Sequence, residues 1–155
     1  MAVKIQFVRS SKIAHAGISA LVLDYKKRLS AFARVEESEL KLESGRDKRN
    51  SQKFQDGIYT PGAGEILVLL DERGRLLTSK DVASKLQTWM DDPRIKTVTF
   101  LVGPPYGFDD ATRGRAADTW SLSPLTLPSD FAWLVLWEQV YRGYTILKGM
   151  PYHHD

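Results

Sequence analysis

Two short, strongly apolar runs constrain the fold more than anything else in this chain. They are Glu65-Ile-Leu-Val-Leu-Leu70 and Thr97-Val-Thr-Phe-Leu-Val102. Each is strand-length, and neither alternates polar with apolar. A strand covered on both faces needs that composition, as in a parallel sheet flanked by helices. Asp71-Glu-Arg-Gly74 follows the first run and reads as a turn; Gly103-Pro-Pro-Tyr-Gly107 follows the second and must be a loop.

The rest of the pattern agrees. Residues 3–8 alternate as a strand, with Val3, Ile5 and Phe7 against Lys4 and Gln6. Residues 17–29 read as an amphipathic helix, with Lys26, Lys27 and Arg28 at the end where its dipole favours cations. Residues 34–42 suggest a second strand. Residues 43–57 are polar and basic, a flexible loop or short exposed helix with Arg46, Lys48, Arg49 and Lys53 as candidates for contact with an anionic backbone or for simple solvation. Helices are predicted over 78–90, with Thr78 or Ser79 as cap, over 109–118, and over 130–147, with Ser129 or Asp130 as cap. Strand and helix alternate from residue 65 onward. The prediction is an α/β fold, a mostly parallel sheet with helices on both faces, and one domain over residues 1–155.

The chain has no cysteine, which excludes disulfides, thiolate metal sites and cysteine nucleophiles. Its first residues lack the long apolar region of a signal peptide, and no apolar run approaches the ~20 residues of a membrane span. A cytoplasmic protein without a membrane partner is expected. The net charge of +3 permits a nucleic-acid partner without requiring one.

Ligands of open α/β sheets bind outside the carboxyl ends of the strands. Three segments stand at such ends: Leu70-Asp71, Gly103 to Gly107, and Ser121 to Pro128. Together they describe one pocket with apolar walls and backbone amides and carbonyls, suited to a nucleoside-like cofactor. The glycine loop alone reads as an ordinary strand-to-helix turn. It lacks the dinucleotide and P-loop fingerprints, and Pro104 and Pro105 remove two amide donors. His15 reads as a surface residue. His153 and His154 are adjacent, so at most one faces a given site, and no metal is expected. Trp120, Trp133 and Trp137 read as core or interface residues. Apolar residues on more than one side of the last helix imply deep burial or a dimer contact.

Four segments, Leu101-Val-Gly-x-x-x-Gly107, Trp120-Ser-Leu-Ser-x-Leu-Thr-Leu-Pro128, Glu138-Gln-Val-Tyr-Arg142 and Pro151-Tyr-His153, closely resemble the bacterial large-subunit rRNA pseudouridine N3-methyltransferases of the SPOUT superfamily. The resemblance covers the whole length. It implies a deep C-terminal trefoil knot, an exception to the rule against threaded chains. It implies S-adenosylmethionine as methyl donor, held by Leu70, Gly103, Leu122, Ser123, Pro124, Leu125, Thr126 and Leu127. It implies a homodimer in which the tail of one subunit completes the site of the other, and ribosomal RNA in the large subunit as substrate. Arg142, Tyr152 and His153 are then the candidate catalytic residues: Arg142 to stabilise negative charge, His153 to orient the base or accept a proton, Tyr152 to stack or hydrogen-bond. Arg142 also stands four residues after Glu138, the spacing of a helical ion pair.

The chain departs from the family pattern at three positions. Pro104 replaces a glycine, Ser129 a histidine and Trp133 an arginine, the last two at an expected RNA-facing entrance. A ribosome- or RNA-binding protein with weak or absent catalysis is the alternative these departures suggest.

Overall fold

The computed structural model describes residues 3–42 and 56–154. Strands β1 (Lys4–Arg9), β2 (Arg34–Glu39), β3 (Glu65–Leu76), β4 (Thr97–Val102) and β5 (Asp118–Ser121) form one sheet in the order β2-β1-β4-β3-β5. All four pairings are parallel. The helices are α1 (Ala16–Leu29), α2 (Ser79–Asp91), α3 (Asp110–Arg115) and α4 (Ser129–Leu147). Among the described residues no helix is long and apolar enough to cross a membrane.

The apolar runs are apolar because both faces of the central strands are covered. Val68 and Leu70 of β3, with Val98, Phe100 and Val102 of β4, join Ile5 and Phe7 in the larger core under α1, α2 and α4. Leu67, Leu69 and Leu101 point the other way, toward Val8, Ile58 and Phe108 beside α3. The edge strand β2 is charged instead, and Glu36 and Glu37 pair with Lys4 and Arg9 of β1. Charge of this kind blunts an open sheet edge.

Helix α4 is held by burial rather than by propensity. Its aromatic and β-branched residues each cost about 0.5 kcal/mol relative to alanine in a helix. Trp133, Trp137, Val140 and Tyr144 are at most 1% exposed, and burying a large apolar side chain is worth about 2–3 kcal/mol. Burial therefore wins. The Trp137 ring stacks on Phe7 at 3.7 Å between centroids. α4 packs against both α1 and α2, which accounts for its two apolar sides within one chain.

Three expectations need correction. Neither Ser129 nor Asp130 caps α4; the N-cap is Pro128, which has no side-chain acceptor, and the Asp130 carboxylate instead accepts the Ala14 amide at 2.9 Å. The expected turn at 71–74 is a strand irregularity. β3 shifts register between Leu70 and Arg75 and then pairs with β5 again as far as Leu76. At Gly74 a Cβ would lie 2.7 Å from the Thr119 carbonyl oxygen, so glycine serves close strand approach rather than a reversal. The helix expected over 109–118 is shorter, and Asp118 opens β5. At α2, Thr78 is the cap: its hydroxyl accepts from the Asp81 amide, and the Asp81 carboxylate accepts from the Thr78 amide.

Candidate functional site

Parallel pairing puts Leu70, where β3 breaks register, beside Val102 and Trp120 near the carboxyl ends of β4 and β5. The segments leaving them enclose a cleft of about 530 Å³. Leu70, Val102 and Trp120 form its floor at the strand ends; the loop 103–108 and the run 122–129 form its walls. Seven of the eight expected cofactor residues line it: Leu70, Gly103, Leu122, Ser123, Leu125, Thr126 and Leu127. Pro124 does not; it is exposed at the bend of the run.

Short polar contacts shape the walls. Ser121 Oγ donates to the Ser123 carbonyl at 3.0 Å, and Ser123 Oγ accepts the Leu125 amide at 2.9 Å. Thr126 Oγ1 donates to Glu72 at 3.2 Å, tying the run to β3. Gly103 passes so close to Phe108 that a Cβ would lie 2.4 Å from the ring. Gly107 has φ of 91°, in the left-handed region that favours glycine, and its amide donates to the Pro104 carbonyl at 3.0 Å. Pro104 thus lacks an amide yet keeps the turn.

Asp71 anchors the cleft mouth. Its carboxylate accepts from Arg113 Nη2 at 2.6 Å and from the Arg73 amide at 2.9 Å. Burial raises its pKa, but these hydrogen bonds together outweigh burial and hold the carboxyl below its ordinary value. It is a charged post under the loop, already occupied by donors. No local pattern signals the Asp71–Arg113 pair, because its members are 42 residues apart.

The three candidate catalytic residues come together elsewhere. Arg142 Nη1 lies 3.2 Å from His153 Nδ1, and its guanidinium carbon lies 4.7 Å from the Tyr152 ring centroid. The Glu138 ion pair also forms, with Arg142 Nη2 and Nε at 2.6 and 2.7 Å from Oε1. The two readings of Arg142 are therefore compatible. Tyr25 on α1 joins the group, its hydroxyl 3.3 Å from that of Tyr152. Sequence periodicity assigns Tyr25 only to an apolar face and carries no signal for this contact. None of these residues lines the cleft of the same chain. Burial first, then the contacts with Tyr25 and Glu138, push the Tyr152 phenol above its ordinary pKa. It is protonated at neutral pH and cannot serve as a base.

Trp133 does not stand at an entrance. It is 1% exposed, edge-on to Phe7 and Trp137, with the Arg9 guanidinium 5.4 Å over its ring. Ser129 is exposed and lines the cleft. His15 is exposed at the start of α1, and His154 is exposed beyond the cluster. Arg46, Lys48, Arg49 and Lys53 lie outside the described residues.

A family described as "Predicted SPOUT methyltransferase" matches residues 1–153. A protein named ribosomal RNA large subunit methyltransferase H, from Maridesulfovibrio salexigens, is 34% identical over 154 residues, covering 97% of this chain and 98% of that one. A protein of the same name from Koribacter versatilis is 36% identical over 150 residues, covering 97% of each. Among solved structures, a probable methylase family protein from Haemophilus influenzae aligns over 95% of this chain and 66% of its own, at 11% identity and a TM-score of 0.49.

Proposed function

Because this chain belongs to the SPOUT methyltransferase family, we propose that it transfers a methyl group from S-adenosylmethionine to N3 of a pseudouridine in large-subunit ribosomal RNA. The observation that carries this reading is the convergence of three strand ends, with the intact run Leu122 to Leu127, on one cleft. The cleft fits such a cofactor: its volume is that of a small-molecule site, Leu70, Val102, Leu122 and Leu127 give it apolar surface, and Asp71, Glu72 and Arg73 add charge at its mouth. The cofactor supplies an electrophilic methyl group on a sulfonium. Leu70, Gly103, Leu122, Ser123, Leu125, Thr126 and Leu127 would hold it, with Pro124 shaping the bend of the run.

The chain's own task is to orient the base and favour loss of its N3 proton. Arg142 is a permanent cation and stabilises the resulting anion. A guanidinium only donates hydrogen bonds, so His153 Nδ1 must accept from it, and the neutral ring carries its proton on Nε2. His153 in this pose orients the base through Nε2–H, and the N3 proton passes to bulk water as the anion forms beside Arg142. Tyr152 offers a flat face and a phenol whose proton stays on.

The reading includes a homodimer. Its support is that the Arg142–Tyr152–His153 group does not line its own chain's cleft, so a second subunit would have to bring the two together. It also includes a knotted C-terminal segment and a cytoplasmic location, both supported by the family alone. The departures at Pro104 and Trp133 leave the turn and the core intact, which favours catalysis over mere binding. Incubating the chain with S-adenosylmethionine and purified ribosomal particles, then mapping the RNA by mass, tests the proposal. One added methyl on a pseudouridine is expected; no mark, or a mark on another base, sinks it.

A further inference from the structure

The tail is fastened by polar contacts that apolar packing does not demand. Tyr152 Oη lies 3.3 Å from Tyr25 Oη and 3.4 Å from Glu138 Oε1. The ionised Glu138 carboxylate only accepts, so Tyr152 donates to it. Between the two phenols either oxygen can be the donor. Tyr152 Oη therefore stands between Tyr25 and Glu138 and touches both. The same Oε1 receives Arg142 Nε and Nη2. Tyr141 meets the Tyr152 ring edge to face at 4.8 Å, and the Arg28 guanidinium lies 5.4 Å over the Tyr25 ring.

We infer that Tyr25 and Glu138 are positioning residues, which fix Tyr152, His153 and Arg142 in one arrangement on their own chain before RNA arrives. Chain ends ordinarily fray. A tail ordered in advance avoids the cost of ordering it during binding. Tyr25 and Glu138 act through the tail and touch no reacting atom. This inference rests on the proposed role of the tail in methyl transfer.

Tyr25→Phe removes the hydroxyl and keeps the ring. Amide hydrogen exchange across residues 152–154 is expected to quicken about fivefold, the worth of one ordinary hydrogen bond. The turnover number on ribosomal particles is expected to fall by a similar factor. The dissociation constant for S-adenosylmethionine, measured by calorimetry, should stay unchanged, because neither residue lines the cleft. Glu138→Gln should loosen the tail in the same way, and Glu138→Asp should restore part of the protection and of the turnover. Tail exchange that matches wild type in both Tyr25→Phe and Glu138→Gln overturns the inference, as does faster exchange with undiminished turnover. A wild-type chain that transfers no methyl group sinks the proposed function instead, and the exchange measurement then decides the positioning claim alone.

Discussion

Asp71 shows how a residue at the cleft mouth can be structural. Its side chain is 6% exposed and receives two arginine-derived donors. Its folded pKa is depressed, so its stabilisation is complete above the unfolded carboxylate range, near pH 4. It is lost as pH falls through the lower folded value. Asp71→Asn should therefore cost about 1–2 kcal/mol at neutral pH, and the gap to wild type should close in strong acid. Thermal unfolding from neutral to acid pH reads this directly. A gap that stays constant would show that the charge is not the stabilising element. At this scale the sequence located most of the cleft, because Leu70 and Gly103 close apolar runs visible from their own composition and the 122–127 run carries the family resemblance. It missed Tyr25 and Arg113, whose partners are 127 and 42 residues away.

Among the elements, β3 and β5 decide where the cleft wall stands. The second half of β3 would be a turn by its residues, yet Gly74 lets it run on against β5. The atoms a Cβ would meet there belong to the backbone of Thr119 and Trp120 and cannot rotate away. Gly74→Ala should therefore push β5 aside, with about 1–3 kcal/mol lost, and carry Trp120 and the 122–127 run with it. Weaker S-adenosylmethionine binding is the expected outcome, although residue 74 does not line the cleft. Calorimetry and a melting curve that both match wild type would refute this. β5 was illegible because four residues are too few to show a period, and three of its four side chains are polar. The α2 cap was legible because the capping box is local: Thr78 and Asp81 stand three residues apart.

For the whole molecule, the separation of cleft and tail cluster makes a prediction about subunits. Gly103→Val crowds the cleft against Phe108, and His153→Ala disables the tail; each variant alone should be nearly inactive. Co-expressed and mixing freely, they should recover about a quarter of wild-type activity if tail and cleft cooperate across a two-fold axis, since half the dimers carry one intact site. No recovery would place the working tail on its own chain. Composition alone was enough for the fold class and for the two central strands, because burial on both faces of a strand is written into consecutive residues. That Trp133 is core, that Asp130 tethers the segment before α1, and that the tail lies against Tyr25 emerged with the folded chain alone. Those outcomes rest on contacts between residues far apart in the chain, and no local pattern encodes which distant side chain will fill a given space.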